Sequence, residues 1–123
     1  MSRVTLLMGV MKVKDSGTTF IVGKQYLNQT INLTKNITIA GYGNTSASIY
    51  MLSTKHEYKR TYVFNTHLDV NTKITGFIFD TLEFYNLGLL HVEHLYIESI
   101  VITRCQFYGS TVLSDGSTVS PNH

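Results

Sequence analysis

The side chains able to do chemistry in this chain are isolated acids, a histidine pair, one cysteine, clustered asparagines and many tyrosines. Asp69, Asp80, Glu83, Glu93 and Glu98 are the candidate acids, each isolated in sequence. General acid–base catalysis needs two carboxyl groups brought together, so their value depends on what the fold stacks. His91-Val92-Glu93-His94 has metal-binding residue types. Strand alternation puts His91 and Glu93 on one face and His94 on the other, and the histidines lack the four-residue spacing of helical zinc motifs. We expect no metal site, no cofactor and no catalytic residue.

Tyr85 and Tyr108 follow Phe84 and Phe107. If the phenylalanines face inward, both tyrosines face outward, one above the other. They form a candidate binding pair for sugar rings or a protein partner. Tyr42, Tyr58, Tyr62 and Tyr96 extend a tyrosine-rich exterior. Asn28-Gln-Thr, Asn32-Leu-Thr, Asn36-Ile-Thr and Asn44-Thr-Ser are N-glycosylation sequons. Alternation with Ile31, Leu33, Ile37 and Ile39 turns Asn32 and Asn36 outward, as a glycan requires. The same residue types also suit turns and the wet face of strands.

These side chains hang on a repeat. Ile74-Thr-Gly-Phe-Ile-Phe-Asp-Thr-Leu-Glu-Phe-Tyr recurs as Ile97-Glu-Ser-Ile-Val-Ile-Thr-Arg-Cys-Gln-Phe-Tyr. The spacing of about 23 residues is in the range of stacked repeat architectures. It predicts columns of Phe79 on Ile102, Leu82 on Cys105 and Phe84 on Phe107. Cys105 is thus a buried small hydrophobe. The register sets Asp80 over Thr103 and Glu83 over Gln106, so neither gains a carboxylate neighbour, and alanine at either should leave the fold intact.

From Thr19 onward a period of two dominates and nothing sustains a helical period. The predicted strands are 20–22, 31–33, 37–40, 49–52, 62–64, 67–70, 74, 77–79, 82–84, 88–92, 95–97, 100–102 and 106–107. They are too short and too closely spaced for hairpins. The pattern fits a chain turning in one rotational sense, an all-β parallel β-helix solenoid of four to five coils, and the resemblance given below implies the right-handed form. Residues 1–16 read as a lead-in strand with Val4 and Leu6 inward, and 110–123 as a polar tail or incomplete coil. All 123 residues form a single domain.

Hydrophobic content of 43% with 15% charged residues fits a folded chain. A net charge of +2 is too small to argue for nucleic acid. The basic cluster Lys55-His-Glu-Tyr-Lys-Arg60 reads as a solvated loop. No apolar run reaches the ~20 residues of a membrane helix. A stacked repeat has two open ends, and no cap is legible, so the chain reads as part of a longer solenoid or as a self-associating unit.

Gly23-Lys-Gln-Tyr-Leu-Asn-Gln-Thr-Ile31-Asn-Leu33-Thr-Lys-Asn-Ile37-Thr-Ile39-Ala-Gly41-Tyr-Gly43 resembles the opening coil of right-handed parallel β-helix proteins, the pectin-lyase-like superfamily. Ile74–Phe79 and Ile100–Phe107 are similar to its repeated coil, so the resemblance runs from about Gly17 to Gly109. It implies fold more than function, since that superfamily spans lyases, hydrolases and non-catalytic surface modules. The lyases' calcium-binding acids and the hydrolases' Asn-Thr-Asp, Asp-Asp, His-Gly and Arg-Ile-Lys motifs are absent. The reading is therefore a non-catalytic structural or binding module of an extracellular or virion surface, partnered by itself or by a polysaccharide. The alternative is a polysaccharide lyase-like or glycoside hydrolase-like fragment.

Overall fold

A computed structural model describes residues 5–43, 45–51, 62–67, 76–85, 88–93, 99–108, 111–112 and 118–119. The protein is mostly β, with one short helix and three parallel sheets. Gly17–Ile21 (β1), Lys24–Leu27 (β2) and Ile31–Asn32 (β3) open the three sheets in turn. Ile37–Gly41 (β4), Ala47–Met51 (β5) and Tyr62–His67 (β6) add to them in the same order. Gly76–Asp80 (β7), Leu82–Tyr85 (β8) and Gly88–Glu93 (β9) follow, and Ser99–Thr103 (β10) and Gln106–Tyr108 (β11) complete the first two sheets. Each parallel pair thus joins strands three elements apart. Thr111–Val112 (β12) and Thr118–Val119 (β13) form a separate antiparallel pair.

The expected registers of Phe79 with Ile102 and Phe84 with Phe107 are present, and Phe77 pairs with Ile100. The constant period is not. Ile37 pairs with Phe77, 40 residues on, while Gly17 pairs with Ile37, only 20 on. Strand pairing constrains strands and not the connections between them, so loops of different length are accommodated at unchanged register.

The inward rows supply the core. Ile37, Phe77 and Ile100 form one, and Ile39, Phe79 and Ile102 the next. In the second sheet Ile49, Phe84 and Phe107 align, and Cys105 continues the row of Ala47 and Leu82. Phe77, Phe79, Leu82, Phe107 and Cys105 are all 0% exposed. The Phe84 and Phe107 rings stack at 5.2 Å, as do Phe64 and Phe79 across sheets. Each fully buried large side chain contributes about 1.5–3 kcal/mol, so these rows are the main source of stability.

The lead-in strand is overturned. Leu6–Lys12 is an α-helix (α1), opened by the Thr5 hydroxyl accepting from Met8 N–H at 3.2 Å. Its leucines, methionines and lysine favour helix, and Leu6, Gly9 and Val10 bury one face by their i, i+3, i+4 spacing. Two turns are too short to display that period in sequence, and Val4 with Leu6 mimics alternation. Gln25 Oε1 accepts from Leu6 N–H at 2.9 Å. At the other end Lys35 Nζ donates to the carbonyls of Met11 and Val13, an interaction the helix dipole favours. Leu6 and Val10 thereby join the buried core beside the first strands, which the sequence alone conceals.

Strand β2 was also missed, because Lys24-Gln-Tyr-Leu carries a polar residue, Gln25, in the row of Ile49. Gln25 is there to hold α1.

The turns from the first sheet into the second are tight. Thr81 and Arg104 adopt φ of 56° and 52°, a left-handed conformation that costs a residue with a Cβ about 1–2 kcal/mol. Asp80 holds both turns. Its carboxylate accepts from Thr81 Oγ1 at 2.9 Å and from Arg104 Nε and Nη2 at 2.9 and 2.6 Å. The bidentate Arg104 partner, above all, holds the Asp80 carboxyl below its ordinary value of 3.8. Asp80 thus ties the two turns together. Gly41 is required for a different reason: a Cβ would lie 2.4 Å from the Thr81 carbonyl oxygen.

Three outcomes follow. Phe84→Asp should abolish cooperative unfolding, since an unpaired charge in the row costs roughly 4 kcal/mol or more, whereas Ile100→Asp, at a half-buried position, should only weaken it. Gly41→Ala should cost about 1–3 kcal/mol in a urea melt. Because the folded-state pKa of Asp80 is depressed, its stabilisation is present above pH 3.8 and lost as pH falls through the folded value. Arg104→Ala should remove that part of the acid dependence, leaving a flatter urea midpoint between neutral pH and pH 3.

Candidate functional site

The outer face of the second sheet carries the most organised side chains on the described surface. Each of its four strands contributes a tyrosine directly after an inward residue: Gln25-Tyr26, Ile49-Tyr50, Phe84-Tyr85 and Phe107-Tyr108. Alternation turns the four rings outward, and parallel register sets them side by side. Tyr26 and Tyr50 stack at 5.2 Å and 17°, Tyr50 and Tyr85 at 4.6 Å and 10°, and Tyr85 and Tyr108 at 4.6 Å and 11°. The expected pair is therefore half of a ladder. Tyr26 and Tyr50 escaped sequence reasoning because their spacing departs from 23 residues.

Stacking changes what the ladder can do. Rings stacked at these distances cover one another's faces, so Tyr50 and Tyr85 present only edges and hydroxyls outward. A sugar ring packs on an aromatic face, and only the end rings, Tyr26 and Tyr108, keep one. They are also the more exposed, at 57% and 40%. Each stacked pair adds about 0.5–1.5 kcal/mol beyond its buried area, so the ladder is first a stabilising feature.

Two residues before each tyrosine, on the same face, lie Lys24, Ser48, Glu83 and Gln106. Glu83 Oε1 accepts from Ser48 Oγ at 2.8 Å and from the Tyr85 hydroxyl at 3.3 Å. Burial among its neighbours, and then the charge of Glu83, push the Tyr85 phenol up to about 12. Asp80 pairs with Thr103 and Glu83 with Gln106 in register, as the repeat implies, and neither meets a second carboxylate in its row. Both are engaged in structural hydrogen bonds.

The sequons divide. Asn28 and Asn32 are exposed, while Asn36 is half-buried and committed. Its Nδ2 donates to Asp15 Oδ1 at 3.2 Å and its Oδ1 accepts from Gly76 N–H at 3.1 Å. Asn36 thus ties the α1–β1 turn to β7. The Asn36 backbone N–H, first of all, lowers the Asp15 carboxyl below its ordinary range. Asn44 lies outside the described residues, as do Tyr58, Tyr96, Asp69, His94, Glu98, Ile74 and the basic cluster at 55–60.

His91 and Glu93 fall on the backbone of β9, paired with Asn65 and His67. Among the described residues no three His, Cys, Asp or Glu are arranged to hold a metal ion. Cys105 is buried, its Sγ donating to the carbonyls of Phe79 and Thr103 at 3.4 and 3.3 Å. Burial pushes its thiol up to about 11, which removes nucleophilic character at neutral pH. No described helix is long and apolar enough to cross a membrane. The chain matches no family model, no curated protein and no solved structure.

One spectroscopic outcome follows from the ladder. In an ultraviolet titration of the folded protein, Tyr85 should remain protonated at pH 11, when an ordinary tyrosine, with a pKa of 10, has ionised. The raised pKa makes its contribution to stability full below pH 10 and lost as pH rises through about 12. Glu83→Gln should bring the transition back toward 10.

Proposed function

We propose that this chain is a non-catalytic, right-handed parallel β-helix module of the pectin-lyase-like kind, acting as a rigid assembly unit of an extracellular or virion surface. The observation that carries the reading is the cyclic visiting of three parallel sheets by strands three elements apart, with apolar rows running inward. A chain that returns to the same sheet in parallel does so with right-handed crossovers in nearly every known case. Packing of α1 beside the first strands also fits, since stacked repeats need their terminal unit shielded.

Assembly is supported at the other end. Among the described strands β10 and β11 are the last of the first two sheets, and outward-facing Val101 and Tyr108 sit on them. Edges of this kind template pairing with another strand. With α1 packed beside the first strands, the geometry favours two copies meeting edge to edge over an endless head-to-tail filament. Exposed sequons at Asn28 and Asn32 suit an extracellular setting. The carbohydrate-active alternative would need converging carboxylates, and Asp80 and Glu83 are instead bound to Arg104, Ser48 and Tyr85.

Sedimentation across a dilution series tests the reading. The expected result is a species heavier than the 13.9 kDa monomer, reduced to monomer by Val101→Lys combined with Tyr108→Lys. A wild-type monomer at every concentration would contradict it, as would release of reducing ends or unsaturated uronates from a polysaccharide panel.

A further inference from the structure

Each ring of the tyrosine ladder lies flat against the next, and the Tyr85 hydroxyl is held by a carboxylate. We infer that the ladder is a site of oxidative cross-linking, in which a one-electron oxidant of the peroxidase class joins Tyr85 to Tyr50 or Tyr108 by a carbon–carbon bond. The inference goes beyond the structural role proposed above and needs only the register of the second sheet.

Three observations converge. The first is proximity. Tyr85 has a near-parallel ring on each face, with centroids 4.6 Å away and planes tilted by 10° from Tyr50 and 11° from Tyr108. The pairing of Phe84 with Ile49 and with Phe107 holds the rings there. Rings so placed touch face to face, and two of their carbons bond after little motion.

The second is a proton acceptor. The Tyr85 hydroxyl donates to Glu83 Oε1 at 3.3 Å, and Ser48 Oγ, donating to the same oxygen at 2.8 Å, fixes that carboxylate. A phenol that loses an electron becomes a strong acid, and a base in hydrogen-bond reach takes its proton. Tyr85 is protonated at neutral pH, its phenol pushed up to about 12, so oxidation there calls for such a base. The third is access. Tyr26 and Tyr108 are 57% and 40% exposed, open to a bulky oxidant, while Tyr50 and Tyr85 are half-buried. An electron vacancy made at an exposed end ring passes inward through the stack.

Two tyrosines each yield one electron to the oxidant and one phenolic proton, which Glu83 takes from Tyr85 and water takes from its neighbour. The two phenoxyl radicals form one bond between ortho carbons. Both ortho hydrogens then move to the oxygens and restore the phenols, and Glu83 passes its proton to water. With hydrogen peroxide as terminal oxidant, the two electrons and two protons convert one peroxide to two waters. The bond fastens β8 to β5 or to β11.

Treatment of dilute folded protein with a haem peroxidase and hydrogen peroxide tests this, read by dityrosine fluorescence, denaturing gel and peptide mass mapping. The expected product is a cross-linked monomer, lighter than the untreated chain by two hydrogen atoms, with Tyr85 in the mapped bond. Tyr85→Phe, which keeps the stack, should remove that bond. Glu83→Gln should slow its formation about tenfold or more, the range of a positioned proton acceptor. Tyr42→Phe, at a ring set edge-on to Phe20, should change nothing, and unfolding in urea should remove the preference for Tyr85. Unchanged thermal melts of Tyr85→Phe and Glu83→Gln keep the comparison independent of folding. Absence of a cross-link within the monomer, a bond mapped to a pair without Tyr85, equal yield in urea, or an undiminished rate in Glu83→Gln would overturn the assignment. Sedimentation of the untreated protein bears on the assembly reading alone, so the two can fail separately.

Discussion

Parallel, in-register pairing is the constraint on which everything else in this molecule depends. It places each residue beside the one at the same position of the next strand, so a side chain is tolerated only if it tolerates that neighbour on both sides. Apolar residues meet this condition by burying one another, as in the row of Ile39, Phe79 and Ile102. Aromatic rings meet it by stacking, inside with Phe84 on Phe107 and outside with the four tyrosines. Like charges cannot meet it. Asp80 therefore stands between Ala40 and Thr103, and Glu83 between Ser48 and Gln106.

The same constraint explains why polar groups gather where rows end or turn. The row of Ile49 ends in Gln25, whose amide is spent on the first N–H of α1 and a neighbouring carbonyl. Lys35 closes the far end of that helix, and Asn36 binds Asp15 on one side and Gly76 on the other. At the opposite corner one carboxylate, Asp80, serves two left-handed turns. None of these groups is free for catalysis, and each replaces a hydrogen bond that the strands cannot make. Lys24, Asn28 and Gln29 instead lie around a cleft beside Tyr26.

Much of this was legible in the sequence, for a definite reason. Alternation and the echo of residues 74–85 in 97–108 report the inward rows directly, and the Phe84–Phe107 and Tyr85–Tyr108 registers follow from them. Legibility failed wherever the informative residue was polar or the segment short. Lys24-Gln-Tyr-Leu was not recognised as a strand because its inward residue is Gln25. Leu6–Lys12 passed for a strand because two helical turns show no reliable period. The ladder was half seen because the spacing from Tyr26 to Tyr50 to Tyr85 is set by loops, while only the pairing is conserved in space. Asn36 read as an outward sequon because alternation reports direction and is silent about partners such as Asp15.

The central claim is the register itself, since a slip of one residue would send every inward side chain to the surface. Nuclear Overhauser contacts between assigned aromatic rings measure it most directly. The account predicts contacts linking Phe84 with Phe107, Tyr85 with Tyr108 and Tyr50 with Tyr85, and none between Phe84 and Tyr108 stronger than these. Contacts offset by one residue, or none between the rings of β8 and β11, would contradict it.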